Sequence, residues 1–486
     1  MALQVFNYLT RSKEPFKPLE KGFVGMYTCG PTVYDHSHLG HAKLYVAMDV
    51  IVRYLRFGGY KVRYVQNITD VGHLLDTGED RIVKGARRER VEPMEVVETY
   101  ARSYFEDMDA LGVLRPNISP RASAHVPEQI EMIKSLLERG YAYETKQGDV
   151  YYSVEEFADY GKLARRQLDD LEPGARVAVR EEKRHPADFA LWKKAEPGHV
   201  LRWPSPWGWG YPGWHIECST MATKYLGDTL DIHGGGLENI FPHNECEIAQ
   251  AEAATGKQFA RYWLLAGSLT VDGAQMSKSK GNSITIKDAL KLYSPEAIRL
   301  FILSGHYRSP MDFTREAMLA AVKGLDRLHQ TVRRVRAAVR SAVAPGTTDL
   351  SHVNELEQHR ESFLAAMDDD FNTPQAIAAL FDLSKDVNLL LDSNDSVSGG
   401  TLLAIDGVYR ALGGEILGII PEEFEEAGSS EMVDGLMGII LAVRESYRAA
   451  ERWEDADSLR EELAKLGISV EDRPEGAAWR VEPIEE

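Results

Sequence analysis

The strongest constraint on this chain is an apolar run from Phe23 to Cys29 that passes through a glycine-containing turn into an amphipathic segment, Leu39 to Phe57. The chain then returns as a second buried run, Lys61-Val-Arg-Tyr-Val-Gln-Asn-Ile68. Short apolar runs bounded by turn residues predict strands, and three-and-four spacing predicts the helix between them. The order is a βαβ unit, which favours a parallel sheet with its ligand at the carboxyl ends of the strands. His38 and Thr69 would both stand there. The turn itself reads Cys29-Gly-Pro-Thr-Val-Tyr-Asp-His-Ser-His-Leu-Gly-His41, so imidazoles and the unbonded N–H groups of a helix start would face an anion.

A second segment, Gln275-Met-Ser-Lys-Ser-Lys-Gly-Asn282, supplies a lysine on a loop of small residues. Either motif alone is ordinary turn or loop chemistry. On the two halves of one nucleotide fold they form a phosphate-handling pair, able to hold ATP and draw charge from departing pyrophosphate. Adenylation of a carboxylate is the reaction this suggests. The ATP-binding set is His38, Gly40, His41, Met276, Ser277, Lys278 and Ser279. Pro31 and Gly40 permit close backbone approach, and the catalytic groups are His38, His41 and Lys278, donors placed where charge develops.

A third constellation joins Cys29, Cys218 and the segment His233-Gly-Gly-Gly-Leu-Glu-Asn-Ile-Phe-Pro-His243-Asn-Glu-Cys246-Glu247. On a helix beginning after Pro242, His243 and Glu247 stand at i and i+4 and could converge on one metal, with two thiolates from elsewhere completing a tetrahedron. No Cys-x-x-Cys demands zinc, and buried structural cysteines with a surface histidine are the alternative. Cys246, at i+3 from His243, competes with Glu247 as a ligand.

A chain of 486 residues with 44% hydrophobic side chains divides into several domains. The expected architecture is α/β: a Rossmann-type parallel-sheet catalytic domain split by an insertion, then an α-helical bundle and a small C-terminal module. The halves of the catalytic domain are placed at 1–114 and 207–260, the charged, proline-bearing insertion at 115–206 and a stem-contact region with the lysine loop at 261–314. The bundle follows at 315–420, where Met318, Val322, Leu325, Leu328, Val332, Val335 and Val339 keep helical spacing, and an acidic linker with the terminal module at 421–486. The excess of 75 acidic over 56 basic residues, a formal charge of -19, opposes indiscriminate attraction to nucleic acid or anionic lipid. An RNA partner must therefore meet a local basic face. Arg327, Arg333, Arg334, Arg336 and Arg340 are the densest candidate, with a solvated helix face as the alternative. Three cysteines are too few for a disulfide framework and suit a reducing cytosol. Met1 to Arg11 lacks a signal-peptide core and no apolar run could span a bilayer, so cytoplasmic residence without a membrane partner is expected.

Five segments occur in a characteristic order: Cys29-Gly-Pro-Thr-Val-Tyr-Asp, Asn67-Ile-Thr-Asp70, Pro212-Gly-Trp-His-Ile-Glu-Cys218, the triple glycine after His233, and Met276-Ser-Lys-Ser279. Through them the chain resembles the cysteinyl-tRNA synthetase family, class I aminoacyl-tRNA synthetases, along essentially its whole length. The resemblance implies ATP-dependent ligation of L-cysteine to the 3'-terminal ribose of tRNA(Cys) through a cysteinyl-adenylate, at the 2'-hydroxyl. It implies Mg2+ with ATP and one Zn2+ per chain held by Cys29, Cys218, His243 and Glu247. Gly30, Thr69, Trp214 and His233 would line the amino-acid pocket, and a monomer is expected by analogy. Zinc suits the task because it binds cysteine as a thiolate, whereas the serine hydroxyl is far less acidic and a poorer partner for a thiolate-rich site.

The chain departs from the family pattern at Gln275, where a lysine usually begins the loop, at Asn244, where a second histidine is common, and at Glu238, where an aspartate is usual. A related mycothiol-pathway ligase, which joins cysteine to a glucosaminyl-inositol amine, shares the core but lacks a terminal RNA-reading module. Here the chain continues through Arg448-Ala-Ala-Glu-Arg-Trp453-Glu-Asp-Ala-Asp457, which resembles the synthetase's anticodon-binding end. Arg448, Trp453 and Asp457 offer a cation, a stacking face and a base-edge acceptor for tRNA; an ordinary amphipathic helix with a half-buried tryptophan is the alternative. A noncatalytic tRNA-binding paralogue is opposed by the intact His38, His41 and Lys278.

Overall fold

A computed structural model describes residues 2–72, 80–167, 182–276, 281–342, 350–393, 397–424, 431–466, 468–473 and 476–481. The chain forms two compact units, Met1–Ile420 and Pro421–Glu486. At the centre of the first lie four parallel strands, β1 (Phe23–Thr28), β2 (Lys61–Gln66), β3 (Leu230–Gly236) and β4 (Ala260–Ala266), in the order β4-β3-β1-β2. β1 pairs on both edges, with Thr28 opposite Gln66 of β2 and Gly234 of β3. Val24, Met26 and Tyr27 are fully buried, as a central parallel strand covered on both faces requires. β2 closes at Gln66, and the chain continues through isolated bridges of Ile68 with Arg121 and Thr69 with Thr32.

The two faces carry different helices because side chains alternate along each strand. Helix α1 (Leu39–Phe57) lies over Thr28 and Gly234, where a Cβ on Gly234 would stand 2.9 Å from Met48 Sδ. Helix α2 (Trp214–Leu226) covers the alternate face, where a Cβ on Gly25 would meet Leu226 at 3.4 Å. Helix α3 (Glu245–Thr255) follows a π-turn over Ile240–Asn244.

Between the halves lies an antiparallel sheet, Ala142–Glu144, Val150–Tyr152, Phe189–Lys194 and Gly210–Pro212, each strand paired with the next. Its apolar face is continuous with α3: Val150, Tyr152, Leu191 and Trp192 share one core with Cys246, Ala249 and Ala253. The last strand lies beyond 206, so the sheet leads directly into α2.

In Arg315–Ser341, Met318, Leu325, Leu328, Val332 and Val335 are buried and Val322 and Val339 half-buried, the face that the spacing predicts. The arginines of this helix do not form one free basic stripe. Arg336 is buried and ion-paired with Asp406 at 2.8 Å, and Arg334 holds Asp392 and Asn388. Helices Leu350–Asp368, Thr373–Asp392 and Gly399–Tyr409 complete the bundle. The second unit has helices Glu431–Ala449 and Trp453–Lys465 and a hairpin, Ile468–Arg473 with Gly476–Val481, over a small core of Met437, Leu463 and Val470. Among the described residues no helix is long and apolar enough to cross a membrane.

One buried ion pair fastens α1 to its surroundings. Asp49 accepts from Arg299 at 2.7 Å, from Arg53 at 2.8 Å and from the Leu114 N–H at 2.9 Å. The Arg299 guanidinium also donates to the carbonyls of Leu417 and Leu111. Removing one partner strands the other charge, so Asp49→Ala is expected to lower stability by about 3–5 kcal/mol, read as a fall in the denaturation midpoint.

Candidate active site and metal centre

The histidine turn is built from α1 upward. His38 is the N-cap: its Nδ1 accepts from the Gly40 N–H at 3.1 Å, and His41 Nδ1 accepts from the His38 N–H at 3.2 Å. An imidazole that accepts at Nδ1 carries its proton at Nε2 when neutral. The two rings stack with centroids 3.9 Å apart, so both present Nε2–H donors at the positive end of a 19-residue helix. Gly40 sits in a crowded place, since a Cβ would lie 3.0 Å from the His38 ring and 3.1 Å from the Met276 methyl. That contact brings the beginning of the lysine loop against the histidine turn. Past the loop, Leu39 N–H donates to Ile284 O at 3.0 Å and Ile286 N–H to Ser37 O at 2.9 Å. Ser277, Lys278 and Ser279 lie outside the described residues. Gln275 extends a short strand, and its carbonyl accepts from Asn282 Nδ2 at 3.2 Å.

At the carboxyl ends of β1 and β3 four side chains converge. Cys29, Cys218, His243 and Glu247 are all buried, and one ligand atom from each lies within 4.8 Å of the others. Four donors about 2.3 Å from one ion stand about 3.8 Å apart in a tetrahedron, so this set of two sulfurs, a nitrogen and an oxygen could close on a single metal by drawing together. Each ligand is oriented by a neighbour. Glu247 Oε1 lies 2.8 Å from His243 Nε2 and Oε2 lies 2.6 Å from His233 Nε2; His243 Nδ1 is 2.9 Å from His215 Nδ1.

The electrostatics prepare these groups for a cation. Burial pushes the Glu247 carboxyl up, but His233 and His243 overcome it and hold it well below the usual range. The neighbouring Cys29 draws the Cys218 thiol down to about 6 against burial. Cys29, in contact with Cys218 and with its thiol donating to Glu247 Oε1 at 3.3 Å, is held well above the ordinary thiol value. Burial opposes the charged form of His243, yet Glu247 and Cys218 raise it to about 10.

The residues expected in the amino-acid pocket surround this group. Gly30 follows Cys29, and its N–H donates to Asn67 Oδ1 at 2.7 Å; a Cβ there would lie 1.6 Å from the Asn67 carbonyl, which only glycine avoids. The Thr69 hydroxyl accepts from Asn67 Nδ2 and donates to Glu217 Oε2, both at 3.1 Å. Trp214 lies over His243 with centroids 4.4 Å apart, and His233 stacks on Trp263 at 4.2 Å. Asn244 donates to Glu247 Oε1 at 3.2 Å and approaches Cys29 Sγ at 3.9 Å. Glu238 is exposed beside Gly236.

Cys246 stands apart from the four donors. Its sulfur is 3.5 Å from the Tyr160 hydroxyl in the insertion's core. The π-turn breaks the helical phase on which an i, i+3 alignment with His243 depends. Residues that sequence reasoning left without a role are Asn67, His215 and Glu217. Asn67 carried a signal, since it alternates with Thr69 at the end of a buried strand; the burial of Glu217 and the contact of His215 with His243 carried none.

In the second unit Arg448 ends its helix 4.0 Å from Glu445. Trp453 and Asp457 are exposed and one helical turn apart. The tryptophan's 55% exposure leaves a ring face in solvent.

Comparison with known proteins agrees with this geometry. Residues 15–323 match the class I (C) tRNA synthetase catalytic domain, residues 362–421 the DALR domain and residues 439–480 the cysteinyl-tRNA ligase anticodon binding domain. A cysteine–tRNA ligase of Chlorobium chlorochromatii is 51% identical, the match covering 99% of this chain and 100% of that one. One from Thermus thermophilus is 50% identical with the same coverage. The chain belongs to the cysteinyl-tRNA synthetase family. Its fold is that of the class I synthetases: the structure of Mycobacterium tuberculosis methionyl-tRNA synthetase bound by methionyl-adenylate aligns with a TM-score of 0.61 at 16% identity, over 84% of this chain and 92% of that one. A leucyl enzyme of Agrobacterium radiobacter K84 aligns with the same score at 12% identity, over 83% and 85%.

The position of Cys246 yields a direct expectation. Purified Cys246→Ser should retain about one equivalent of transition metal per chain, measured by elemental mass spectrometry, whereas Glu247→Ala should lose most of it.

Proposed function

We propose that this chain is a cysteine–tRNA ligase that forms cysteinyl-adenylate from L-cysteine and ATP with Mg2+, then transfers cysteine to the terminal ribose of tRNA(Cys). The observation that carries the reading is the convergence of two thiols, an imidazole and a carboxylate beside the histidine turn. The match of residues 439–480 to an anticodon-binding domain supports tRNA over a sugar amine as the acceptor. The division of labour follows: 1–114 and 207–260 hold ATP and cysteine, 115–206 inserts between them, and 261–314 carries the lysine loop. Segments 315–420 and 421–486 face tRNA, with Arg448, Trp453 and Asp457 reading unstacked bases.

Cys29, Cys218, His243 and Glu247 would hold one zinc ion, which when bound supplies a site for the thiolate form of cysteine. Gly30, Thr69, Trp214 and His233 enclose the rest of the amino acid. Thr69 is held by Asn67 and Glu217, so its hydroxyl is oriented before substrate arrives. The His38 and His41 Nε2–H groups donate to the phosphates as the cysteine carboxylate attacks the α-phosphorus in line. Lys278 neutralises the departing pyrophosphate. These donors act mainly in the transition state, because charge on the leaving phosphates grows there.

Cysteine-dependent exchange of pyrophosphate into ATP and charging of tRNA(Cys) test the reading; absence of both sinks it. Loss of one transition-state donor typically costs about 100- to 1,000-fold, and Lys278→Ala is expected to slow exchange on that scale while cysteine affinity stays near wild type. Chelating the metal should instead weaken cysteine binding first, seen as a rise in KM for cysteine with little change in KM for ATP.

A further inference from the structure

Lys43 lies on α1 one turn into the helix that begins at the histidine turn, yet it is 1% exposed. Its ammonium donates to the carbonyls of Gly267 at 2.6 Å, Ser309 at 2.6 Å and Ser268 at 3.4 Å. An ammonium has three protons to donate, and each has a backbone acceptor. Burial draws its pKa down to about 8 against the attraction of Glu238.

Those carbonyls mark the starts of two strands. Gly267 and Ser268 precede Leu269–Val271, and Ser309 precedes Met311–Phe313, which pairs parallel to it. Gly267 N–H donates to Tyr307 O and Met311 N–H to Ser268 O. A Cβ on Gly267 would lie 2.4 Å from the Ser309 backbone, so no side chain can separate the segments. Leu269–Val271 then pairs with Ala274–Gln275 and leads to Met276, whose methyl meets Gly40. One side chain on the helix of His38 and His41 thus holds the root of the hairpin that brings Met276 to those histidines.

We propose that Lys43 is a positioning residue for adenylation, setting the separation between the histidine turn and the lysine-loop hairpin; the inference rests on the ligase function proposed above. It touches no reacting atom. The ammonium replaces an apolar strut because it bonds two backbones at once, which a packed methylene chain cannot do.

The test uses the full-length protein and cysteine-dependent pyrophosphate exchange. Misplacing a catalytic donor by about 1 Å can cost about 100-fold, and Lys43→Met is expected to lower the exchange kcat on that scale. KM for cysteine should stay near wild type, because the metal donors sit on other elements. Lys43→Arg, which keeps the charge and the donors, should restore most of the rate. If the methionine variant does not fold, Lys43→Gln, which keeps an N–H donor group, is read by the same kcat-against-KM split. An unchanged kcat per folded molecule, or a rise in cysteine KM equal to the fall in kcat, overturns the proposal. Wild-type protein without exchange activity would instead overturn the functional reading.

Discussion

Parallel pairing on both edges of Phe23–Thr28 is the constraint from which the site follows. A strand flanked on both sides places three carboxyl ends together, and here those ends deliver Cys29, the Asn67–Thr69 segment and the His233–Gly236 run. Crossover connections leave the same ends open to a ligand while helices cover the faces. The glycines are consequences of that crowding. Gly30 passes the Asn67 carbonyl, and Gly234 makes room for Met48. Once the strands are paired, α1 must begin over the cleft, with its N-terminal dipole toward the space where phosphate would lie.

Burying so many ionisable groups is unfavourable unless each has a partner. The metal quartet answers this by mutual bonding: Glu247 is held between two histidines and accepts from the Cys29 thiol. Buried atoms nearby that lack a partner, His233 Nδ1, Asn244 Oδ1 and Glu217 Oε1, are the kind of polar residue that a substrate or ordered water satisfies. Elsewhere the protein balances its buried cations within the chain, Arg299 on Asp49 and Arg336 on Asp406. Both pairs join distant segments, so burial that would oppose folding for a lone charge fixes how elements dock.

Much of the fold and site was legible from local pattern. The strand and helix runs of the βαβ unit and the amphipathic face of Arg315–Ser341 each depend on periodicity within one element, and His243 with Glu247 on a separation of four residues. The competition between Cys246 and Glu247 was not legible, because it turns on a π-turn and on which side the insertion packs. The arginine cluster was equally ambiguous: helical spacing cannot show that Arg336 faces Asp406. Lys43 shares the apolar face of its helix with Leu39, Val46 and Val50, and only the meeting of Gly267 with Ser309 shows which groups its ammonium holds there.

The sequence by itself determined the parallel nucleotide fold, the motif order and the residue types available for phosphate and metal, because these rest on hydrophobic period and on side-chain chemistry. Tertiary structure alone decided which donors converge, which cysteine is excluded and which charges are struts. Those outcomes depend on contacts between residues far apart in the chain, set by the close approach of backbones that no local pattern encodes.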